Sequence, residues 1–373
     1  MRFGPKSNFG RSRSRRRRPS SGTGSILQAF LSGVKQTDGE RSFDLPPVFP
    51  EEQAKGSTVC KRFATLSRMR ILNFFSVRLV GFLVVSLTFL SSPWGSVAAQ
   101  SDRPLHVIVF GAHPDDPDKV GGTMAKLIEA GHKVRLVALT NGNAGHFSMG
   151  GGPLAQRRIK EAQCAGGVIG AEYIVLDNDD GKLLPTLENR ETVIKLIREF
   201  KADVVISPRP DDYHPDHRNT ALLVRDAAYM VTVPNIAPSV RHLDRNPLFM
   251  YMEDQFTKPY PFDPDIVVAV DDVIEKKLDM YHCHESQMYE WLPYNRGNLD
   301  EVPKDPAERR LWLGKHRAQE SQRVAERYRD LLVQLYGEER GKQIKYAEAL
   351  EVSEYGRSAS LEELKKLFPF FGD

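Results

Sequence analysis

The sequence predicts an α/β fold: a Rossmann-like three-layer sandwich with a mostly parallel sheet, plus a helical C-terminal extension. Two observations predict it. From residue 105 onward short apolar runs alternate with amphipathic stretches of about 10–15 residues, the rhythm of βαβ crossovers. The two densest His/Asp clusters each follow directly on one of those runs, at the strand ends where ligands sit in such sheets.

Taken in order, residues 105–110 read as the first strand, 120–130 as a helix closed by Gly131, and 134–139 as the second strand. A Gly-rich loop over 141–152 leads into a helix over 154–168, a strand at 173–176, a helix at 187–200 and a strand at 203–207. Residues 248–252 and 266–270 read as two further strands, 272–289 as a helix and 306–336 as one long charged helix. The stretch 348–371 mixes charges with Leu361, Leu364, Leu367, Phe368 and Phe370, which reads as an appendage packing on the body. The expected division is therefore an α/β domain over 100–290 and a helical extension over 291–373.

The residues before 100 have a different character. Residues 1–68 carry the run Arg15-Arg16-Arg17-Arg18 in a Ser/Gly/Arg-rich context with no apolar periodicity, as expected of a disordered basic leader. Over 69–99, Arg70 and Arg78 precede the uncharged apolar run 79–90, and small residues end at Ala98-Ala99. That pattern describes a signal peptide cleaved after Ala99, or else an uncleaved N-terminal anchor. A true start at Met69 would make residues 1–68 untranslated. The expectation is export, to the periplasm or the medium.

Charge follows the same split. The whole chain of 373 residues carries a formal +3, but residues 1–99 hold 16 Lys+Arg against 5 Asp+Glu, and residues 100–373 hold 36 against 44. An acidic body argues against a nucleic-acid-binding protein despite the Arg run. Of the three Cys, Cys60 lies in the leader; Cys164 and Cys283 define neither a disulfide framework nor a thiolate metal site. Cys164, among Ala and Gly on a predicted helix, reads as a packed thiol.

The chemistry lies in Gly111-Ala112-His113-Pro114-Asp115-Asp116 after the first strand and Asp211-Asp212-Tyr213-His214-Pro215-Asp216-His217 after the fourth. Imidazoles and carboxylates facing each other across a sheet edge are the donor types of a hydrolytic zinc site. His113 and Asp116, three apart in a turn, point to one side, while Asp115 projects differently and is available as a base. His214 and His217 are also three apart, so one can bind metal while the other faces substrate. Taken singly, Asp116 and Asp216 fit equally well as caps of the helices that follow.

Ala112-His113-Pro114-Asp115-Asp116 with Gly121-Gly122, and His214-Pro215-Asp216-His217 further on, resemble the LmbE-like/PIG-L family of zinc-dependent N-acetylglucosaminyl deacetylases. Thr140-Asn141-Gly142, Gly145-His146, Leu154-Ala155, Arg158 with Glu161, Asp180-Gly181, Lys277 and His284-Glu285-Ser286-Gln287 extend the similarity over about residues 105–287. The resemblance implies His113, Asp116 and His217 as ligands of one Zn2+, with Fe2+ as the alternative metal, and Asp115 as general base on the water that attacks the amide. It implies His214 as donor to the oxyanion or leaving amine, oriented by Asp216. Arg158 and Asp180 would contact sugar hydroxyls or an adjoining group, with an Arg158–Glu161 ion pair as the alternative for the arginine; His146 would shape the pocket mouth or simply be exposed, and His284 would stand behind the ligands.

Three departures concern substrate more than chemistry: Asp118 stands where the family commonly has Glu, the loop 148–152 is unusually Gly-rich, and the C-terminal extension past Gln287 is long. The implied activity is removal of acetyl from an N-acetylated amino sugar or glycoconjugate, with that glycan as partner and membrane contact only through an uncleaved anchor. The alternatives are a zinc amidase on another acylated amine and a non-catalytic sugar-binding module. Intact Asp115 argues against the module, since a base has no duty in holding metal alone.

Overall fold

A computed structural model describes residues 103–371; the expectations for the leader, the signal peptide and cleavage after Ala99 fall outside these residues. The first half alternates as the apolar rhythm requires: β1 (His106–Gly111), α1 (Gly121–Glu129), β2 (Lys133–Ala138), α2 (Gly151–Ile169), β3 (Glu172–Val175), α3 (Leu187–Phe200), β4 (Val204–Ser207) and α4 (Pro215–Met230). A single tight turn over Asp116–Val120 joins β1 to α1. Next come β5 (Leu248–Met252), β6 (Ile266–Ala269), α5 (Ile274–Cys283) and a wide turn of π-type over Ser286–Trp291. The chain then runs through α6 (Leu292–Arg296), α7 (Pro306–Arg327), α8 (Arg329–Tyr336), α9 (Glu338–Gln343), β7 (Ala347–Gly356) and α10 (Leu361–Leu367).

The seven strands lie in the order β3-β2-β1-β4-β5-β7-β6. The first five positions are parallel, and β7 runs antiparallel to both its neighbours. Burial on both faces explains why β1 is apolar without interruption. Val107 and Val109 join the core under α1, α2 and α5, while Ile108 and Phe110 join the core under α3 and α4. A further cluster packs Leu332 and Leu335 of α8 on Val267 and Ala269 of β6. Among the described residues no helix is long and apolar enough to cross a membrane.

The C-terminal segment differs from the expected helical appendage. Its helices are present, and Leu364 and Phe368 are buried, each side chain contributing about 1.5–3 kcal/mol. Residues 347–356, however, form a ten-residue strand inserted into the sheet. Its Glu348 obscured this. A carboxylate in a run of Ala and Leu signals an exposed face, but here it is buried because four donors meet it: Lys277 Nζ (2.6 Å), Gly122 N (2.9 Å), Thr123 N (2.7 Å) and Thr123 Oγ1 (2.6 Å).

Three smaller differences have local causes. The predicted helix over 306–336 breaks at Tyr328, whose φ of −109° and ψ of 33° leave the helical region. The predicted helix over 272–289 ends at Cys283, and the chain widens into the π-type turn. Cys164 is not a free packed thiol: it forms a disulfide with Cys283, tying α2 to α5.

Candidate active site

The site forms at the carboxyl ends of β1 and β4, adjacent strands from which the chain departs in opposite directions. Such a reversal leaves a crevice between the two following loops. Gly111 lets the first loop fold back tightly: a Cβ there would lie 2.5 Å from Pro117 Cδ and 2.6 Å from Asp116 Cβ. Asp116 Oδ2 then accepts the backbone N–H groups of Ala112 (3.0 Å) and His113 (2.7 Å), fixing the carboxylate.

Three donor atoms meet there. His113 Nδ1 lies 3.4 Å from Asp116 Oδ2, His217 Nε2 lies 3.3 Å from the same oxygen, and the two nitrogens are 3.2 Å apart. A tetrahedral ion with bonds of about 2.0–2.1 Å separates its ligands by roughly 3.3 Å, so this triad fits a single small cation. Looser groups also gather here. His113, His214 and His217, and likewise His113, Asp180, His214 and Asp216, offer atoms within 4.8 Å of one another. The tighter triad fits better, because the outer nitrogen of His113 is already occupied: its Nε2 lies 3.0 Å from Asp180 Oδ1 and 3.5 Å from Asp216 Oδ2.

The electrostatics also favour a cation. Asp116, Asp180, Asp212 and Asp216 lie within 3.5 Å of the imidazoles of His113 and His217. Burial opposes charge on His113, but Asp116, Asp180 and Asp216 outweigh it and raise its pKa well above the ordinary value. Burial likewise opposes charge on His217, yet Asp116 and Asp212 carry it up to about 9. Burial acts against ionised Asp116, and the two imidazoles still hold it well below the usual carboxylate range. Positive charge is thus strongly favoured where the three donors meet.

His214 is the N-cap of α4, and its Nδ1 accepts the backbone N–H of Asp216 (3.2 Å). With Nδ1 an acceptor, the neutral ring carries its proton on Nε2. Burial, then the neighbouring imidazoles of His113 and His217, push its pKa below the ordinary value, which favours the neutral ring. The expected orientation of His214 by the Asp216 carboxylate is corrected here. That carboxylate is fully buried, accepts the N–H groups of Gly181 (2.6 Å) and Leu183 (3.2 Å), and faces His113; only the backbone of Asp216 reaches His214.

Arg158, Asp180 and His146, the residues expected at the substrate, each make contacts within the protein. Arg158 is 2% exposed and donates to Asp115 Oδ1 and to Gly142 O, so it is too deeply set to reach a sugar, and it does not pair with Glu161. Glu161 instead pairs with Arg157 and accepts from Ser286. Gly142 makes room for Arg158: its φ is +68°, and a Cβ there would lie 2.2 Å from Nη1. Asp180 is taken up by His113. His146 turns to Glu290 (2.8 Å), and its ring stacks on Phe147, which stacks on the exposed Tyr294 at the rim.

Two further groups support the loops. Asp118 pairs with His284 (2.9 Å) in full burial beneath the first loop, so the shorter acid still spans the gap. Asp212, which sequence reasoning quoted without a role, contacts His217 Nδ1 at 3.1 Å and accepts the N–H of His214 at 2.9 Å. An Asp two residues before a turn residue is the sequence signal of such a bond.

Comparison with known proteins bears on this geometry. Residues 108–228 match the family model described as PIG-L, GlcNAc-PI de-N-acetylase. The diacetylchitobiose deacetylase of Thermococcus kodakarensis is 32% identical over 202 residues, covering 51% of this chain and 74% of the relative. The N,N'-diacetylchitobiose deacetylase of Pyrococcus horikoshii shares the fold at 24% identity, with a TM-score of 0.50 over 66% of this chain and 83% of that one. A 4-carboxy-2-hydroxymuconate hydratase from Pseudomonas putida shares it at 20% identity, with a TM-score of 0.54 over 69% and 98%.

Proposed function

The chain belongs to the PIG-L family of de-N-acetylases, and on that premise we propose that it hydrolyses the acetamide of an N-acetylated amino sugar using one divalent ion held by His113, Asp116 and His217. The observation that carries this reading is the 3.2–3.4 Å mutual spacing of those three donors, with Asp115 on the adjoining residue. The chitobiose-directed relative supports a GlcNAc-type substrate. Mixed imidazole and carboxylate donors suit zinc, with Fe2+ as the alternative.

A divalent ion bound there would polarise the acetyl carbonyl and make water acidic enough to ionise near neutral pH. Asp115, held at Oδ1 by Arg158, takes the proton from the attacking water at Oδ2. Arg158 thereby acts as a positioning residue for the base. His214 carries a proton on Nε2 and donates a hydrogen bond to the charge developing on the acetyl oxygen, and the proton held by Asp115 passes to the leaving amine. Collapse breaks the C–N bond and releases acetate and the amino sugar.

The test is acetate release from a panel of N-acetyl sugars and other acylated amines, with metal content measured alongside. Asp115→Asn keeps its metal and loses at least about 100-fold in turnover, whereas His217→Ala binds metal more weakly and also loses turnover. Full turnover in Asp115→Asn would refute the mechanism, and release from non-sugar amines alone would refute the substrate class. We also place the body outside the cytoplasm. The apolar run 79–90 with its basic flank and small-residue end supports this, as does a disulfide of the kind that persists in oxidising compartments. N-terminal sequencing of the protein from the extracytoplasmic fraction checks it, and an intact residue 1 in a cytoplasmic pool would contradict it.

A further inference from the structure

We infer that Asp212 is a positioning residue of the metal centre, setting the tautomer of His217 and the placement of His214 through a single carboxylate oxygen. The inference rests on the metal reading above and goes beyond the two motifs that define the ligands.

An imidazole can present a lone pair to a cation from one nitrogen only if the proton sits on the other. For His217 the inward atom is Nε2, 3.3 Å from Asp116 Oδ2 and 3.2 Å from His113 Nδ1. Its outward Nδ1 lies 3.1 Å from Asp212 Oδ1. A carboxylate can only accept, so it stabilises the Nδ1–H form and leaves the Nε2 lone pair directed at the triad. His113 is served in the same way from the opposite nitrogen, its Nε2 facing Asp180 and Asp216.

What sets Asp212 apart is that the same oxygen accepts the backbone N–H of His214 at 2.9 Å. That bond closes a turn one residue before α4, and His214 is the N-cap from which the hydrogen-bond-donating ring projects. Asp212 Oδ1 therefore joins a metal ligand to that donor, and its side chain is only 10% exposed, so water competes weakly for either bond. Neighbouring Asp211 makes no hydrogen bond among the described contacts and serves as the control.

Zinc affinity is read by competition with a chromogenic chelator for the parent, Asp212→Asn, Asp212→Ala, Asp211→Asn, His217→Ala and the Asp212→Asn/His217→Ala pair, with kcat and KM at saturating zinc. Asp212→Asn preserves the turn to His214 but removes the charge, and it should weaken zinc binding by about 10–100-fold; Asp211→Asn should bind as the parent does. Because Asp212 acts through His217, its substitution should change zinc affinity no further when His217 is already Ala. At saturating zinc, Asp212→Ala should lower kcat with KM unchanged, because His214 loses its anchor. Parent-like zinc affinity in Asp212→Asn overturns this inference alone. So does a further loss of equal size in the His217→Ala background, which marks a general structural role. A parent that binds no zinc overturns the metal reading and this inference together.

Discussion

Glu348→Gln tests whether the C-terminal strand supports the site. The carboxylate meets four donors, Gly122 N, Thr123 N, Thr123 Oγ1 and Lys277 Nζ, with its two oxygens. Glutamine keeps the shape but supplies one acceptor and one donor group, so an N–H or the Lys277 ammonium is left facing an NH2. Both side chains of the ion pair are buried, 5% and 3% exposed, so no solvent discount applies. Removing one partner of a buried pair costs about 3–5 kcal/mol, which for a body of this size lowers the melting temperature by roughly 6–20 °C at about 2–4 °C per kcal/mol. Lys277→Met should cost less, since it leaves the carboxylate with three donors, and Lys277→Met/Glu348→Gln should cost less than the sum of the singles. Denaturant and thermal unfolding of the four proteins give the cycle. A Glu348→Gln protein within about 1 kcal/mol of the parent would refute the reasoning.

Three further outcomes are expected. Gly142→Ala places a Cβ against the Arg158 guanidinium at a φ of +68°; it should destabilise by more than about 1 kcal/mol and lower kcat by shifting Arg158 off Asp115, and unchanged turnover would contradict the positioning role of Arg158. Cys164→Ser/Cys283→Ser opens a link across 119 residues and should lower stability by about 2–4 kcal/mol in urea titrations; no loss would contradict a native crosslink. Burial opposes charge on metal-free His217, but Asp116 and Asp212 raise it to about 9, so its stabilising contribution is complete below about pH 6.5 and lost as pH rises through about 9. Zinc must displace that proton, so apparent affinity should climb over the same interval with proton release on binding, measurable by calorimetry in buffers of different ionisation enthalpy; pH-independent affinity would contradict it.

The parallel half of the fold was legible because each element there has one dominant pattern. The helix over Leu187–Phe200 and the strand Leu248–Met252 fall where the apolar periodicity put them, and the two motifs landed on adjacent strand ends. What escaped was whatever depends on partners from elsewhere in the chain. Strand β7 carries Glu348, whose burial makes sense only once Lys277 and the start of α1 are beside it. Arg158 and Asp180 have the chemistry of sugar contacts but are consumed by Asp115 and His113. Spacing along a loop indicates which side a residue takes; it carries no information on which carboxylate from another loop will reach it.

The insertion of β7 between β5 and β6 also sets an order of events during synthesis. By the time residue 300 has left the ribosome, His113, Asp116 and His217 have all been made, yet β5 and β6 have no strand between them and the underside of α1 has no carboxylate. Parallel strands and a late, distant closing strand both raise contact order and slow folding. The nascent chain therefore remains an open sheet with an exposed edge, able to hold its metal donors but not to lock them, until residues 347–356 emerge. A stop codon or proteolytic cut just before that strand would yield a protein with every motif of the family and an incomplete sheet.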